Sequence, residues 1–189
     1  ASSVLFLGLT GNIFEALMLG YAICLSLAMT GLCACLYHFL RTRRLSVLHT
    51  LCCILFFLLC HFWAFRTAYQ DNDYMLRTSD ACTVFFYVIP NLMNAAAVLW
   101  LETDQELEKP PLSGVYVKRA AFLMLAYFCI FSNIWASMIL AAYIGSRLVL
   151  SLIAVIREKG QLKRWLSEHR LLLILMAAWL LSQIFEMNG

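Results

Sequence analysis

The side chains best suited to chemistry are few and sit in apolar surroundings. The histidines are His38, His49, His61 and His169. Two histidines on neighbouring helices hold haem in b-type cytochromes, and His49 with His61 invites that reading. The later apolar segments contain no histidine to supply axial partners, and His169 falls in a loop, so no haem is expected. The chain has eight cysteines, all in or at the edge of apolar stretches and none in a CxxC pair. They read as small apolar side chains, and no metal site follows from their spacing. Glu102, Asp104, Glu106 and Glu108 alternate along the chain and cannot line one helical face, which argues against a catalytic carboxylate pair. A solvated helix extension is their plain reading, and docking of a basic partner is the functional one. No HExxH, GxSxG or phosphate-cradling glycine loop is present, so catalytic residues, cofactors and metals are all expected to be none.

What remains is a set of polar groups embedded in apolar sequence. Asn91, Asn94, Asn133 and Arg147 are candidates for a polar bundle interior, and Pro90 for a helix kink. Backbone freed by a proline at membrane depth has to be satisfied by neighbouring helices, side chains or water. Asn91→Leu and Asn94→Leu are therefore expected to alter folding or ligand response.

The elements that position these groups follow from composition. Of 189 residues, 63% are hydrophobic and 13% charged. About half apolar is usual for a soluble domain, so lipid is the solvent for most of this chain. The net charge of +3 lies in short basic clusters between apolar runs, where positive-inside loops place it. No basic stripe or aromatic platform supports nucleic-acid binding.

The expected fold is all-α, a multi-pass transmembrane helical bundle of six spans in one domain over 1–189. The spans are about 13–40, 47–68, 81–101, 120–137, 140–156 and 171–185. Ala120–Ile156 is the difficult stretch: it offers 37 residues and one charge, Arg147, where two crossings need about 40 plus a turn. One long helix would reverse the sidedness of the next basic loop, so a split is expected near Ser137–Tyr143. Arg147 is expected to snorkel or to meet a carboxylate, and Glu186 lies toward the other side of the membrane. Arg41, Arg43 and Arg44, then Glu102 and Asp104, then Lys159, Lys163 and Arg164 form loops that face partners or lipid headgroups. Trp165, Leu162 and Leu166 suggest a short interfacial helix in the last of these. Basic loops after spans one, three and five place the N terminus outside or in a lumen, with the C terminus on the same side. The chain begins at Ala1, and Val4–Leu9 lacks the basic flank of a signal peptide, so upstream sequence is expected.

Several of these elements coincide with one family. Arg41–Arg44 feeds a second apolar run carrying Arg66 near its end, the third run has Pro90 early and Trp100-Glu102 at its exit, and the fifth contains Tyr143-Ile144-Gly145-Ser146-Arg147-Leu148. This pattern resembles the plant tobamovirus-multiplication proteins and their animal relatives, the orphan receptor-like integral membrane proteins of lysosomes. The rhodopsin-like pattern is poorly matched, because Glu102-Thr103-Asp104 stands where an acidic-Arg-Tyr triplet belongs and Trp179 has no proline two residues on. The resemblance implies a seven-helix receptor-like bundle whose last helix would follow Gly189. It also implies a non-enzymatic vacuolar, lysosomal or endomembrane protein that presents loops to small GTPases or other cytosolic partners.

Two non-enzymatic functions are then open: a receptor-like bundle that recruits cytosolic partners or binds a small ligand, and a structural subunit of a larger membrane assembly. Transport is a third, weaker reading, because no inverted repeat with paired broken helices is visible.

Overall fold

A computed structural model describes residues 2–60, 84–104, 107, 116–158 and 161–188. Among these residues the regular elements are helical and no strand occurs. The chain divides into two compact units, Ala1–Ala96 and Ala97–Gly189.

The first unit opens with α1 (Ser2–Thr10) packed on α2 (Ile13–Thr42). The reversal between them needs Gly11 at φ +66°, where a side chain would be strained. Asn12 then caps α2, its side chain accepting from the Phe14 N–H. At the other end Arg44 adopts φ 64°, and the Leu45 N–H reaches back to the Leu40 carbonyl at 3.3 Å. A helix C-terminus of this type usually takes glycine; an arginine holds the position here. Ser46 starts α3 (Val47–Leu59), its hydroxyl accepting from the His49 N–H. The His49 Nδ1 stands 2.6 Å from that same hydroxyl, so the ring serves the cap. The remainder of the expected second span, with His61 and Arg66, lies outside the described residues.

A π-helical turn, Val84–Val88, leads into α4 (Ile89–Thr103). Pro90 sits at the junction. It lacks the N–H that would bond the preceding turn, and a wider turn relieves its ring of the carbonyl it would otherwise meet. The change of winding therefore falls where the kink is expected.

The second unit holds the end of α4, then α5 (Tyr116–Ser132), α6 (Ile134–Arg157), the short α7 (Leu162–Glu168) and α8 (Arg170–Asn188). The expected split near Ser137–Tyr143 is not where the chain turns: those residues lie inside α6, and the break is at Asn133. The expected boundaries 120–137 and 140–156 move accordingly. Asn133 is extended, and its side chain accepts from the Trp135 and Ala136 N–H groups. By satisfying the first donors of α6 it permits a reversal through a single non-helical residue. Length is recovered at the other end, because α5 starts at Tyr116 and carries Lys118 and Arg119 within its first turn.

Among the described residues, four helices are long and apolar enough to cross a membrane: Ile13–Thr42, Val84–Thr103, Ile134–Arg157 and Arg170–Met187. Helix α5, at 17 residues, and the 13 described residues of α3 are shorter. Six spans and a seven-helix-like arrangement thus go beyond the four helices of spanning length. Large apolar side chains point outward along the helices, Phe14, Leu48, Phe56, Val117 and Trp135 among them. In water such surfaces would drive association; in lipid they are solvated.

Candidate functional site

Because lipid offers helices no hydrophobic reason to pack on each other, close backbone approach and polar bonds hold them together. Helix α6 is built for both. Ser137, Ala141 and Gly145 recur every four residues on one face. Ser137 and Ala141 line a narrow apolar seam together with Leu175, Met176 and Trp179 of α8. At Gly145 a β-carbon would lie 3.3 Å from the Met176 methyl, which leaves little spare room. Indole groups close this contact and the next. The Trp179 Nε1 donates to the fully buried Ser137 hydroxyl at 2.9 Å. The Trp165 Nε1 donates to the Ser151 hydroxyl, also at 2.9 Å. Trp165 is buried and stacks on His169, with ring centroids 5.2 Å apart. A short helix, α7, is present where the sequence suggests one, but its tryptophan is buried against the protein, while Leu162 and Leu166 are exposed.

Within the same unit, charged and phenolic groups converge where α4 ends. The Tyr143 hydroxyl donates to Glu102 Oε2 at 2.5 Å, joining residues 41 positions apart. One turn along α6, the Arg147 guanidinium lies 5.8 Å from the Tyr143 ring centroid. Asp104 meets Lys118 at 3.5 Å, with the carboxylate largely shielded. Arg119 donates through Nε and Nη2 to the carbonyl of the buried Leu107. Trp100 packs edge-on against Phe122 beside them. The exit of α4 is thus bound to α5 and α6 by an ion pair, a phenol on a carboxylate and a guanidinium on a backbone carbonyl. Arg147 lies over the ring whose hydroxyl is bonded to Glu102. Glu186 lies elsewhere, near Asn133 in a cavity at the α5–α6 turn.

The other sequence-predicted residues separate. Asn94 is fully buried; its Nδ2 donates to the Pro90 carbonyl at 2.9 Å, while its Oδ1 has no partner. Asn91 is half-buried one turn away. Arg41 donates to the Leu45 carbonyl, Arg43 lies over the Phe39 ring at 5.1 Å, and both are exposed together with Arg44. Lys163 is exposed. Arg164 pairs with Glu168 at 2.8 Å one helical turn on, and the hydrogen bond to that carboxylate raises the guanidinium above its ordinary value. A solvated pair of this kind adds little to stability. Lys159, Glu106 and Glu108 lie outside the described residues. Among the described residues, no group of three or more His, Cys, Asp or Glu could hold a metal ion.

Tyr143, Ser137, Ser151 and the two indoles carry most of these contacts, and none is singled out as a site residue by composition. The four-residue spacing of Ser137, Ala141 and Gly145 is a signal the sequence does contain. The Glu102–Tyr143 bond has no such signal. No family model, no curated protein and no solved structure matches the chain.

Proposed function

We propose that the chain is a non-enzymatic integral membrane protein, a receptor-like helical bundle that recruits cytosolic partners through its basic loops. In this reading it has six spans, with the short α5 and the segment beginning at α3 crossing alongside the four longer helices. It resides in an endomembrane, vacuolar or lysosomal compartment. The observation that carries the proposal is the division of polar groups between interior and surface. Glu102, Asp104, Lys118, Arg119 and Tyr143 are tied to one another or to backbone within the second unit. The basic residues Arg41, Arg43, Arg44, Lys163 and Arg164 are exposed. Polar groups used in this way lock helices, and those left outside are what a soluble protein can reach.

The test is mild solubilisation of the full-length protein after crosslinking in cells, followed by native mass measurement. A monomer or dimer carrying a soluble partner is expected. Charge reversal of Arg41, Arg43 and Arg44 together should abolish that capture without changing the amount of folded protein. Stoichiometric recovery with many other membrane subunits would overturn the proposal in favour of a structural role in a larger assembly.

A further inference from the structure

The second unit contains a cavity unrelated to its basic loops. Ile130, Phe131, Asn133, Ser182, Phe185 and Glu186 line an open space of about 350 Å³ between the α5–α6 turn and the last turns of α8. That volume falls in the range of small-molecule sites, about 300–1,000 Å³. Two of its polar groups are already engaged within the chain. The Asn133 Oδ1 caps α6, and the Ser182 hydroxyl donates to the Trp179 carbonyl while accepting from Gln183. Glu186 differs from both: among the described residues it makes no ion pair. The sequence offers it no cation nearby on these helices. Residues 120–146 contain no charged side chain, and within 171–189 Glu186 is the only one.

Glu186, Phe131 and Phe185 are exposed, so the carboxylate and both rings stand at the open side of the cavity, where a ligand can reach them. The cavity walls indicate what kind. Two phenyl rings, Phe131 and Phe185, offer electron-rich faces that attract a cation, and Ile130 offers apolar contact. A phosphate or carboxylate would be repelled by Glu186, and a neutral apolar molecule would leave it uncompensated. We propose that this cavity binds an ammonium or quaternary ammonium group carried on an apolar body, with Glu186 pairing the charge and Phe131 and Phe185 packing around it. The headgroup of a zwitterionic lipid and a free amphiphilic amine share this chemistry.

Phenyltrimethylammonium is the probe, with benzenesulfonate as an anion on the same phenyl body. The full chain in uncharged maltoside micelles should bind phenyltrimethylammonium saturably by saturation-transfer NMR and should not bind benzenesulfonate. Glu186→Gln keeps the side-chain shape and should weaken binding about tenfold, the loss expected when one charge-assisted contact is removed. Phe185→Ala keeps the carboxylate and should weaken binding less. Nanodiscs then separate the two sources. With the binding to Glu186→Gln in the same discs subtracted to remove attraction to the anionic surface, weaker binding in phosphatidylcholine than in phosphatidylglycerol discs identifies a lipid headgroup as occupant, and equal binding identifies a free amine; both uphold the cation site. Absence of saturable binding, equal binding by Glu186→Gln, or equal binding of benzenesulfonate would overturn it.

Discussion

The contact that bears most on the second unit is the Tyr143–Glu102 bond, and its worth can be measured. Tyr143→Phe removes one oxygen and leaves the ring under Arg147 in place. Hydrogen bonds to charged groups contribute about 1.5–3 kcal/mol in proteins generally, while interhelical bonds in lipid average about 0.6 and reach about 1.7 kcal/mol. Both partners are part-buried where the end of α4 meets α6, and 2.5 Å lies at the short end of the range for a hydroxyl on a carboxylate. The upper part of the lipid range applies, so a coupling of about 1–1.5 kcal/mol is expected. For a chain of this size 1 kcal/mol moves the melting midpoint by roughly 2–4 °C. The assay is a double-mutant cycle of Tyr143→Phe and Glu102→Ala, unfolding the detergent-solubilised chain and following its tryptophan fluorescence. Glu102→Gln, which can still accept the phenol, should lose only part of the effect. Single changes that add to within about 0.3–0.5 kcal/mol, the scatter of independent sites, would refute the bond as a tie between α4 and α6.

Three further outcomes follow from the same geometry. Gly145→Ala should be neutral or stabilising by up to about 1 kcal/mol, because the Met176 methyl it meets ends a flexible side chain and alanine favours helix; Gly145→Leu should cost about 1–3 kcal/mol by overpacking α6 against α8, read in the same unfolding assay. The sequence alone leads one to expect that Asn94→Leu alters folding, but the substitution swaps one four-atom side chain for another and removes a buried acceptor that lacks a partner among the described residues; the loss of its bond to Pro90 is offset, so stability should hold or rise by up to about 1 kcal/mol, and a larger loss would show that Oδ1 is engaged in the membrane. Single cysteines at Arg43 and Lys163 in sealed vesicles should react with a membrane-impermeant maleimide from the same side, and labelling from opposite sides would refute the sidedness read from the basic loops.

Much of the helical framework was legible in the sequence because apolar length is a strong, local signal. Helix α2 runs Ile13–Thr42 against an expected 13–40, and α8 runs Arg170–Asn188 against 171–185. The error between α5 and α6 has a specific cause. Its polarity makes Asn133 a candidate for the bundle interior, although an asparagine directly before an apolar run is also a helix-start signal. The expected span begins at residue 120, directly after Lys118 and Arg119, yet long side chains let the helix include both residues while their ends reach Asp104 and the Leu107 carbonyl. The Glu102–Tyr143 bond was beyond reach for a different reason. No periodicity relates residues 41 apart, and only packing brings them together.

The same physics explains why so little function could be read from composition. In water, an enzyme's site announces itself as polar residues where apolar ones belong. In this chain the interior polar groups have another use, since a seryl hydroxyl accepting from an indole, or a carboxylate accepting from a phenol, is what fixes one helix against the next when lipid competes equally for apolar contact. Interior polarity is then a poor guide to chemistry. Exposed charged groups are the better guide, and they lie toward the ends of the helices: Arg41, Arg43 and Arg44 where α2 meets α3, Lys163 on α7, and Glu186 beside the α5–α6 turn. If Glu186 meets a cation, the neighbouring seam between α6 and α8 serves only to hold those two helices together through tryptophan, serine and glycine. Substitutions at Ser137 or Trp179 should then lower stability while leaving the affinity for the cation unchanged in the fraction that remains folded.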